Sequence, residues 1–253
     1  MMKSERQNRI IELVKREGYC SLDTIAKELG VSSSTVRRDI EFLDSNGALV
    51  RERGGASRSR SNEFSMYDQK LNVRMKLEAE SKKAIAQAAL KLIQPGSTIF
   101  MDAGSSTLTL AKLLPSDLRI TVVTDSLSVS RVLAEKGIAT FLIGGTLKPT
   151  TDATVGPMAE EQIRHFFFSQ AFMGANAVDR ELGFMTPDIS EACTKRAACE
   201  SAGQVVFLAD RSKFNIKSVI SFAPLKDQLV ITDYVDSDHS FPSLKLVEVK
   251  VDD

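Results

Sequence analysis

Between residues 98 and 231, short runs rich in β-branched residues alternate with helical segments, and this pattern constrains the fold more than any other feature. The candidate strands lie at residues 98–101, 120–123, 140–143, 171–173, 205–209, 218–221 and 229–231, and the candidate helices at 107–114, 127–135, 157–164 and 191–202. A helix between successive strands is typical of parallel pairing. The pattern therefore predicts an α/β domain built on a largely parallel sheet.

Composition places the chain among soluble globular proteins. Hydrophobic residues make up 43% and charged residues 26% of its 253 residues, which excludes a disordered or disulfide-stapled chain. Cys20, Cys193 and Cys199 lack metal-ligand spacing and neither histidine is near a cysteine, so we expect no metal site. The sequence has no signal-peptide pattern and no apolar run of about 18 residues. We expect a cytoplasmic protein with no membrane partner.

Charge is distributed unevenly along the chain. The totals of 33 Lys+Arg and 33 Asp+Glu give a net charge of zero, which excludes a protein that coats nucleic acid by bulk charge. Residues 1–60, however, carry 12 cations, nine of them arginine, against nine acids. No apolar residue occurs from Ser57 to Asn62, which is typical of a hinge. We predict an N-terminal domain at residues 1–57, a linker at 58–77, and an α/β domain at 78–253 that begins with a helical pattern at 78–93.

Three helical segments fill the predicted N-terminal domain. Ser21 and Ser32 precede the second and third segments at N-cap positions, and Gly30 follows the second. Ala26 is small enough to let two helices approach closely, Gly30 permits the positive φ of a sharp turn, and Val36 fills the angle between the helices. This spacing predicts a helix-turn-helix.

The third helix and the segment after it carry the candidate DNA-binding residues. Short hydroxyls at a helix N-terminus reach phosphates or base edges, and arginine binds a guanine edge or a phosphate. Alternating apolar and charged residues from Ala48 to Gly54 and Gly55 predict a small β hairpin, so the domain is expected to be a winged helix. A merely solvated arginine-rich surface is the alternative. The candidate contacts are Ser32, Ser33, Ser34, Thr35, Arg37, Arg38, Arg51 and Arg53.

Small and polar residues follow the predicted strands of the second domain. The first strand runs into Asp102, Gly104 and a Ser-Ser-Thr sequence at a helix start. Neither a Walker loop nor a dinucleotide-binding fingerprint occurs here, yet hydroxyls and N–H groups at a helix N-terminus suit an anion such as phosphate. A simple turn with an N-cap is the alternative. Similar residues follow four further strands, at 124–126, 144–145, 174–175 and 210–213, which predicts one pocket at the carboxyl edge of the sheet.

Two stretches resemble the bacterial DeoR-type transcriptional regulators. One runs from Ile25 to Ile40 and has a Thr-Val-Arg-Arg-Asp core at residues 35–39, and the other is the Arg-Gly-Gly-Ala sequence at 53–56. The resemblance extends over nearly the whole chain. It implies an effector domain similar to the ribose-phosphate isomerase and CoA-transferase-like superfamily, which in many family members senses sugar phosphates.

The resemblance also implies roles for residues of the predicted pocket. The implied phosphate-binding residues are Gly104, Ser105, Ser106 and Thr107. The residues implied to line the sugar are Asp102, Thr124, Asp125, Ser126, Gly144 and Gly145. Lys213 is implied to add a positive charge. The chain departs from the family pattern at Asp125, where Asn is usual, and at Ser169, where Asp is usual. A carboxylate at position 125 repels phosphate unless it contacts sugar hydroxyls or Lys213.

Two further residues, Glu191 and Lys195, also match family positions. Each could equally form a salt bridge on the face of its own helix. The sequence leaves both interpretations open.

Together these patterns predict a DNA-binding regulator, a repressor of a sugar-metabolism operon, whose operator binding responds to a phosphorylated metabolite. The expected partners are double-stranded operator DNA, this metabolite and further copies of the chain in a homodimer or tetramer, because such domains usually contact paired half-sites. We expect neither a cofactor nor a catalytic residue. Two alternatives stay open: an isomerase-like enzyme that uses Asp102, Asp125 and Glu191 as acid–base groups, and a repressor that binds no ligand.

Overall fold

The structure is a computed structural model that describes residues 3–45, 48–57, 64–65, 69–234 and 241–251. The predicted end of the third helix at Asn46 and Gly47 lies outside the described residues, as do residues 58–63 and 66–68 of the predicted linker. The later part of that linker contains a one-turn helix, α4 (Leu71–Arg74), whose Leu71 is buried in a core of the α/β domain.

Three helices and a three-stranded antiparallel sheet form the N-terminal domain. Its elements are α1 (Lys3–Glu17), β1 (Tyr19–Ser21), α2 (Leu22–Leu29), α3 (Ser33–Ser45), β2 (Val50–Glu52) and β3 (Gly55–Ser57), with strand order β1-β3-β2. Apolar residues at helical spacing meet in one core, where Ile10, Ile25, Val36 and Ile40 are at most 1% exposed. The helix-turn-helix and the wing hairpin are confirmed. Strand β1 was not predicted.

Seven parallel strands form the central sheet of the α/β domain, in the order β17-β16-β13-β10-β5-β6-β7. They are β5 (Thr98–Met101), β6 (Thr121–Thr124), β7 (Ala139–Leu142), β10 (Gln170–Gly174), β13 (Val205–Leu208), β16 (Leu229–Thr232) and β17 (Lys245–Glu248). The helices around it are α5 (Ala79–Leu90), α6 (Ser105–Leu113), α7 (Leu127–Glu135), α8 (Pro157–Arg164) and α9 (Ile189–Glu200). The parallel α/β prediction is confirmed.

Smaller pairings surround the central sheet. Strands β8 (Thr146–Lys148) and β9 (Ala153–Val155) form a hairpin; β11 (Ala177–Asp179), β12 (Gly183–Thr186) and β15 (Ile220–Ala223) form an antiparallel sheet; and β14 (Lys217–Ser218) pairs in parallel with β4 (Phe64–Ser65). The single strand predicted at 218–221 is wrong, because β14 and β15 are separate and neither joins the central sheet. The pattern of β-branched residues shows where a strand forms but not which sheet it joins.

Alternate residues of the inner strands β6, β5, β10, β13 and β16 enter two different cores. In β5, Ile99 and Met101 pack with residues of α5, α6 and α7, whereas Phe100 packs with residues of α8 and α9. In β10, Phe172 lies in the first core and Ala171 in the second. Both faces of the sheet are therefore covered, as a parallel sheet requires. The carboxyl ends of the strands are left as the place where buried polar side chains collect.

Candidate functional site

The turn between α2 and α3 has the geometry that its glycine and serines predict. Gly30 ends α2 in the left-handed region at φ 63°. Ser21 caps α2 by accepting a hydrogen bond from the N–H of Thr24 at 3.1 Å, and Ser32 accepts one from the N–H of Thr35 at 3.3 Å. These contacts fix α3 against α2 with the first turn of α3 on the surface.

The candidate hydroxyls at the start of α3 hydrogen-bond to neighbouring side chains. Ser32 Oγ lies 2.9 Å from both Ser34 Oγ and Thr35 Oγ1. Ser33 Oγ lies 3.5 Å from Asp23 Oδ1, at the limit of hydrogen-bond distance. Their contact with DNA stays a prediction.

Beyond its first turn, α3 presents arginines to solvent. Arg37 and Arg38 are exposed, and within the described ranges neither forms an ion pair. The acidic residue of the same motif is different: Asp39 is 1% exposed and accepts hydrogen bonds from Arg6 Nε at 2.6 Å and Gln7 Nε2 at 3.1 Å. Asp39 therefore fastens α3 to α1, while the two arginines stay available to a polyanion.

The two arginines of the wing differ in their surroundings. Strand β3 of the wing packs tightly against β1 at Gly55, where a Cβ atom would lie 2.3 Å from the carbonyl oxygen of Cys20. Arg51 Nη1 lies 2.9 Å from Glu41 Oε1 on α3, and both side chains are about half exposed. Arg53 is exposed and has no ion pair with any residue that the structure describes. Of the two, Arg53 is the cation that a phosphate can approach without competition from a carboxylate.

Asp102 is the centre of the buried polar cluster in the α/β domain. It follows β5, is fully buried, and its Oδ2 accepts hydrogen bonds from the N–H of Gly174, at 2.8 Å, and from Lys195 Nζ. Lys195 also donates to the carbonyl of Gly174 at 3.2 Å and lies 5.4 Å from the centre of the Phe222 ring. Oδ1 of Asp102 is buried and has no hydrogen-bond partner in the described ranges. That atom is left to accept a hydrogen bond from a ligand.

The candidate phosphate loop lies beside Asp102 at the N-terminus of α6. Gly104 is the N-cap, with extended backbone and no side chain to occupy the first N–H groups. Thr107 Oγ1 hydrogen-bonds to the carbonyls of Asp102, at 2.8 Å, and Gly104, at 2.9 Å, so its hydroxyl holds the loop. The hydroxyls of Ser105 and Ser106 form no such bond among the described residues. The donors available to an anion are these two hydroxyls and the N–H groups of the first turn.

Three candidate residues follow β6 and have separate roles. Thr124 Oγ1 donates to the carbonyl of Met101 at 2.6 Å and accepts from the N–H of Ser126. Ser126 caps α7 by accepting from the N–H of Val129 at 3.2 Å. Asp125 between them is 4% exposed, and its Oδ1 is buried without a hydrogen-bond partner among the described residues. Thr124 and Ser126 hold the backbone, and Asp125 adds a second unpaired carboxyl oxygen.

The sequence reasoning missed the contribution of the β8–β9 hairpin. Thr151 Oγ1 donates to Glu191 Oε1 at 2.6 Å, and Lys148 Nζ lies 3.1 Å from Glu191 Oε1 and 3.1 Å from Asp188 Oδ2. Glu191 and Lys195 therefore both pair across to other elements rather than along their own helix. Besides the family match, their spacing of four residues is a signal in the sequence that they act together, because it places both side chains on the same face of α9.

The hairpin is also bonded to the segment after β6. The N–H of Thr154 donates to the carbonyl of Asp125 at 2.7 Å, and the N–H of Leu127 donates to the carbonyl of Asp152 at 2.9 Å. Ser128 Oγ donates to Asp152 Oδ2 at 2.6 Å. One hairpin thus touches the backbone of Asp125 and, through Thr151 and Lys148, the carboxylate on α9.

Two glycines after β7 shape the base of this hairpin. The N–H of Gly144 donates to Gln162 Oε1 of α8 at 3.0 Å. Gly145 has φ 146°, and a Cβ atom there would lie 2.8 Å from the carbonyl oxygen of Val155. The hairpin therefore packs closely against Gly145, and a ligand contact for either glycine stays a prediction.

Lys213 belongs to a separate group of charges. It lies in a short 3-10 helix (Arg211–Lys213) after β13, two strands away from β5 in the sheet. Asp210 before it is fully buried, and Lys82 Nζ of α5 lies 3.3 Å from Asp210 Oδ2. Burial acts to raise the pKa of Asp210, but the charges of Lys213 and Lys82 outweigh it and hold that pKa below its ordinary value. Within the described ranges no hydrogen bond or ion pair joins Lys213 to Asp102.

Burial and charge shift the pKa values of two groups in the Asp102 cluster. Burial raises the pKa of Asp125 to about 8, and the Asp102 carboxylate adds to this effect. Burial acts to lower the pKa of Lys195, but the neighbouring Asp102, Glu191 and Asp125 outweigh it and raise that pKa above its ordinary value. Lys195 is therefore a permanent cation of the site.

The structure shows neither a metal centre nor a membrane span where it describes the chain. No group of three or more His, Cys, Asp or Glu residues within the described ranges is placed to hold a metal ion. None of the described helices is long and apolar enough to cross a bilayer.

Comparison with known proteins matches the N-terminal and the C-terminal regions of the chain to two different domain families. Residues 6–62 match the DeoR-like helix-turn-helix domain, and residues 77–234 match the DeoR C-terminal sensor domain. The chain is 37% identical over 235 residues to the HTH-type transcriptional regulator GlpR of Haloferax volcanii, covering 92% of this chain and 91% of that protein. It is 33% identical over 243 residues to the lactose phosphotransferase system repressor of Staphylococcus aureus, covering 94% of this chain and 95% of that protein. Ribose 5-phosphate isomerase A of Methanocaldococcus jannaschii matches 53% of this chain and 53% of its own chain, with 17% identity and a TM-score of 0.40.

Proposed function

The chain belongs to the DeoR family of transcriptional regulators, and we propose that it represses a sugar-metabolism operon under the control of a phosphorylated sugar or a related metabolite. Membership of this family sets aside the isomerase-like enzyme among the predicted alternatives. The observation that carries the effector half of the proposal is the pair of buried, unpaired carboxyl oxygens on Asp102 and Asp125. A polar site of this kind costs free energy unless a ligand completes its hydrogen bonds.

The DNA half rests on the outward face of α3. Arg37 and Arg38 contact base edges or phosphates of operator DNA, and Arg53 of the wing contacts a flanking phosphate. The hydroxyl groups at the start of α3 add hydrogen bonds to the sugar-phosphate backbone of the DNA. Neither Arg37 nor Arg38 has to break an ion pair with any described residue before it binds.

The effector half rests on the arrangement around the N-terminus of α6. The N–H groups of the first turn and the hydroxyls of Ser105 and Ser106 bind the phosphate group, since both are hydrogen-bond donors. The unpaired oxygens of Asp102 and Asp125 accept hydrogen bonds from the hydroxyl groups of the sugar. Glu191, held by Thr151 and Lys148, forms the side of the site nearest the hairpin.

Contacts of the predicted linker suggest how the two halves communicate. The N–H of Leu71 donates to the carbonyl of Thr150 at 3.0 Å, next to Thr151 in the hairpin. Leu77 packs against the core of the N-terminal domain, and its carbonyl accepts a hydrogen bond from Lys82 Nζ of α5. A ligand that draws Glu191 away from Thr151 would change the position of Thr150 and, through α4, the position of the DNA-binding domain. Such coupling requires that the ligand bind the two arrangements with different affinity.

The regulator acts as a homodimer or tetramer in this proposal. A single winged helix contacts one half-site, and two-fold symmetric operators need two copies in a fixed relation. Sedimentation of the purified chain, alone and with a duplex containing two half-sites, measures the number of copies.

The test of the whole proposal is operator binding in the presence of candidate effectors. The operator is selected from a random duplex library with the full chain, and its affinity is then measured by fluorescence anisotropy with each of a panel of pentose and hexose phosphates. We expect at least one sugar phosphate to change the affinity and to raise the thermal midpoint of the chain, because a ligand of the native state stabilises it. Operator binding that responds to none of them, without any thermal shift, would support the ligand-independent repressor instead.

A further inference from the structure

The charges of the buried site do not balance. Asp102, Asp125 and Glu191 are each at most 4% exposed and contribute three carboxyl groups. Lys195 pairs with Asp102, and Lys148 pairs with Glu191. No cation among the described residues pairs with Asp125, although it lies in the same cluster. An ionised carboxylate that is buried without a partner is strongly unfavourable.

We propose that Asp125 carries a proton in the ligand-free protein at neutral pH, and that this proton lets an anionic ligand bind beside three carboxyl groups. In this form Asp125 is an uncharged group that both donates and accepts hydrogen bonds, as an asparagine does. It is a specificity-determining residue for ligands whose hydroxyl groups lie next to a phosphate. The inference rests on the proposed function for the identity of the ligand, but the proton itself is a property of Asp125 and its surroundings.

Charged side chains from two elements act on Asp125. Asp102 at the end of β5 and Glu191 of α9 disfavour its ionised form, and Lys195 of α9 favours it. Lys148 of the hairpin is paired with Glu191 at 3.1 Å. Burial is the largest effect and raises the pKa to about 8. The neighbouring carboxyls and the burial act in the same direction, whereas the charge of Lys195 and a hydrogen bond from the backbone N–H of Asp125 itself oppose them.

The sign of the pH dependence follows from this pKa. An unfolded aspartate has a pKa of about 3.9, so between about pH 4 and 8 the folded chain holds a proton that the unfolded chain has released. The contribution of Asp125 to the free energy of unfolding is therefore full below about pH 4 and is lost as pH rises through the folded pKa of about 8.

The first test uses the full chain without ligand and compares Asp125→Asn with the wild type. Infrared spectra between pH 5 and 10 record the stretching band of a protonated carboxyl group. We expect the wild type to lose such a band with a midpoint near pH 8, and D125N to lack that transition. Asp117→Asn, at an exposed aspartate, is the matched control and keeps the wild-type titration.

Two results of this first test overturn the proposal. One is a wild-type spectrum without any protonated carboxyl band at pH 7, which is decisive even if D125N does not fold. The other is a band near pH 8 that persists unchanged in folded D125N, because it then belongs to another group.

A thermal midpoint that falls between pH 5 and 8 in the wild type more steeply than in D125N supports the proposal, and equal slopes count against it.

The second test asks whether the proton controls anion binding. Sulfate is the probe, because its charge is constant across this pH range, and its affinity is measured calorimetrically at pH 6.5 and pH 9. We expect wild-type affinity to fall by about tenfold at the higher pH, because a group with a pKa of about 8 is only about one-tenth protonated at pH 9 and its ionised form repels sulfate, and D125N affinity to stay constant. Equal loss in both proteins contradicts the role of Asp125. Absence of sulfate binding at either pH contradicts the anion site of the proposed function, while the infrared titration still decides the proton.

Discussion

The two domains of this regulator hold their charged residues in opposite ways. In the winged helix, Arg37, Arg38 and Arg53 lie on the surface, and none of them pairs with a carboxylate that the structure describes. In the α/β domain, Lys195 and Lys82 are at most 6% exposed, and each lies against a fully buried aspartate. The first arrangement leaves cations free for a polyanion. The second buries charged atoms against one another, where a missing partner is costly.

This difference teaches where each domain should tolerate substitution. An exposed arginine without an ion pair among the described residues contributes little to folding, and its charge stays available to DNA. A buried lysine contributes to both, since its aspartate loses a partner when the lysine is removed. Stability and binding affinity should therefore be separable at the exposed arginines of the N-terminal domain and inseparable in the buried cluster of the α/β domain.

The largest expected effect is at Lys195. Lys195→Met leaves the fully buried Asp102 without its cation, and we expect the α/β domain to lose about 3–5 kcal/mol of unfolding free energy in urea. The double variant D102N/K195M should recover part of this loss, because it removes both charges. Arg38→Ala is the exposed control and should stay within about 0.5 kcal/mol of the wild type. A loss in K195M as small as in this control would remove the contrast between the domains.

A close backbone contact is one sensitive feature of the N-terminal domain. Gly55→Ala places a Cβ atom 2.3 Å from the carbonyl oxygen of Cys20, so β1 and β3 must separate. We expect the free energy of unfolding of this domain to fall by about 1–3 kcal/mol, as for other overpacked sites. Thermal unfolding followed by circular dichroism measures it, with exposed Ser33→Ala as the control. An unchanged midpoint in G55A would mean that the sheet adjusts without cost.

Removal of an α3 arginine should separate binding from stability. Arg37→Ala or Arg38→Ala is expected to weaken operator binding by about 1–3 kcal/mol if the side chain contacts a base, while the thermal midpoint stays unchanged. Anisotropy with the selected operator and with a scrambled duplex shows whether the loss is sequence-specific. Undiminished operator affinity in both variants would contradict the assignment of α3 as the helix that contacts operator DNA.

The smallest effect distinguishes the two arginines of the wing. Arg53→Ala should lower the slope of log affinity against log salt by about 1, since one phosphate contact is lost. Arg51→Ala should lower it less, because Arg51 lies 2.9 Å from Glu41 and its charge is already partly balanced. Affinities measured from 50 to 300 mM salt give both slopes. Equal slopes for R51A and R53A would show that the Arg51–Glu41 pair opens on DNA.

Sequence reasoning succeeded where local chemistry decides the outcome. The caps at Ser21 and Ser32, the left-handed Gly30 and the strand at residues 98–101 depend on residues close in sequence, and all were found where the pattern placed them. It failed where strands choose partners: β1 and the β8–β9 hairpin were missed because each has three residues and no distinct pattern. The candidate site was incomplete for the same reason, since Thr151 and Lys148 reach Glu191 across about 40 residues of chain.

The sequence by itself determined a winged helix with exposed arginines and a parallel α/β domain with polar residues at its carboxyl edge, because these features follow from periodicity, caps and turns. The tertiary structure decided which polar residues meet. It directed Thr107, Thr124 and Ser126 to backbone groups of the loops, separated Lys213 from Asp102, and paired Lys195 with Asp102. It paired Asp125 with no cation among the described residues. The physical reason is that hydrogen bonds and ion pairs act over a few ångströms, and only the packed fold sets distances between residues far apart in the chain.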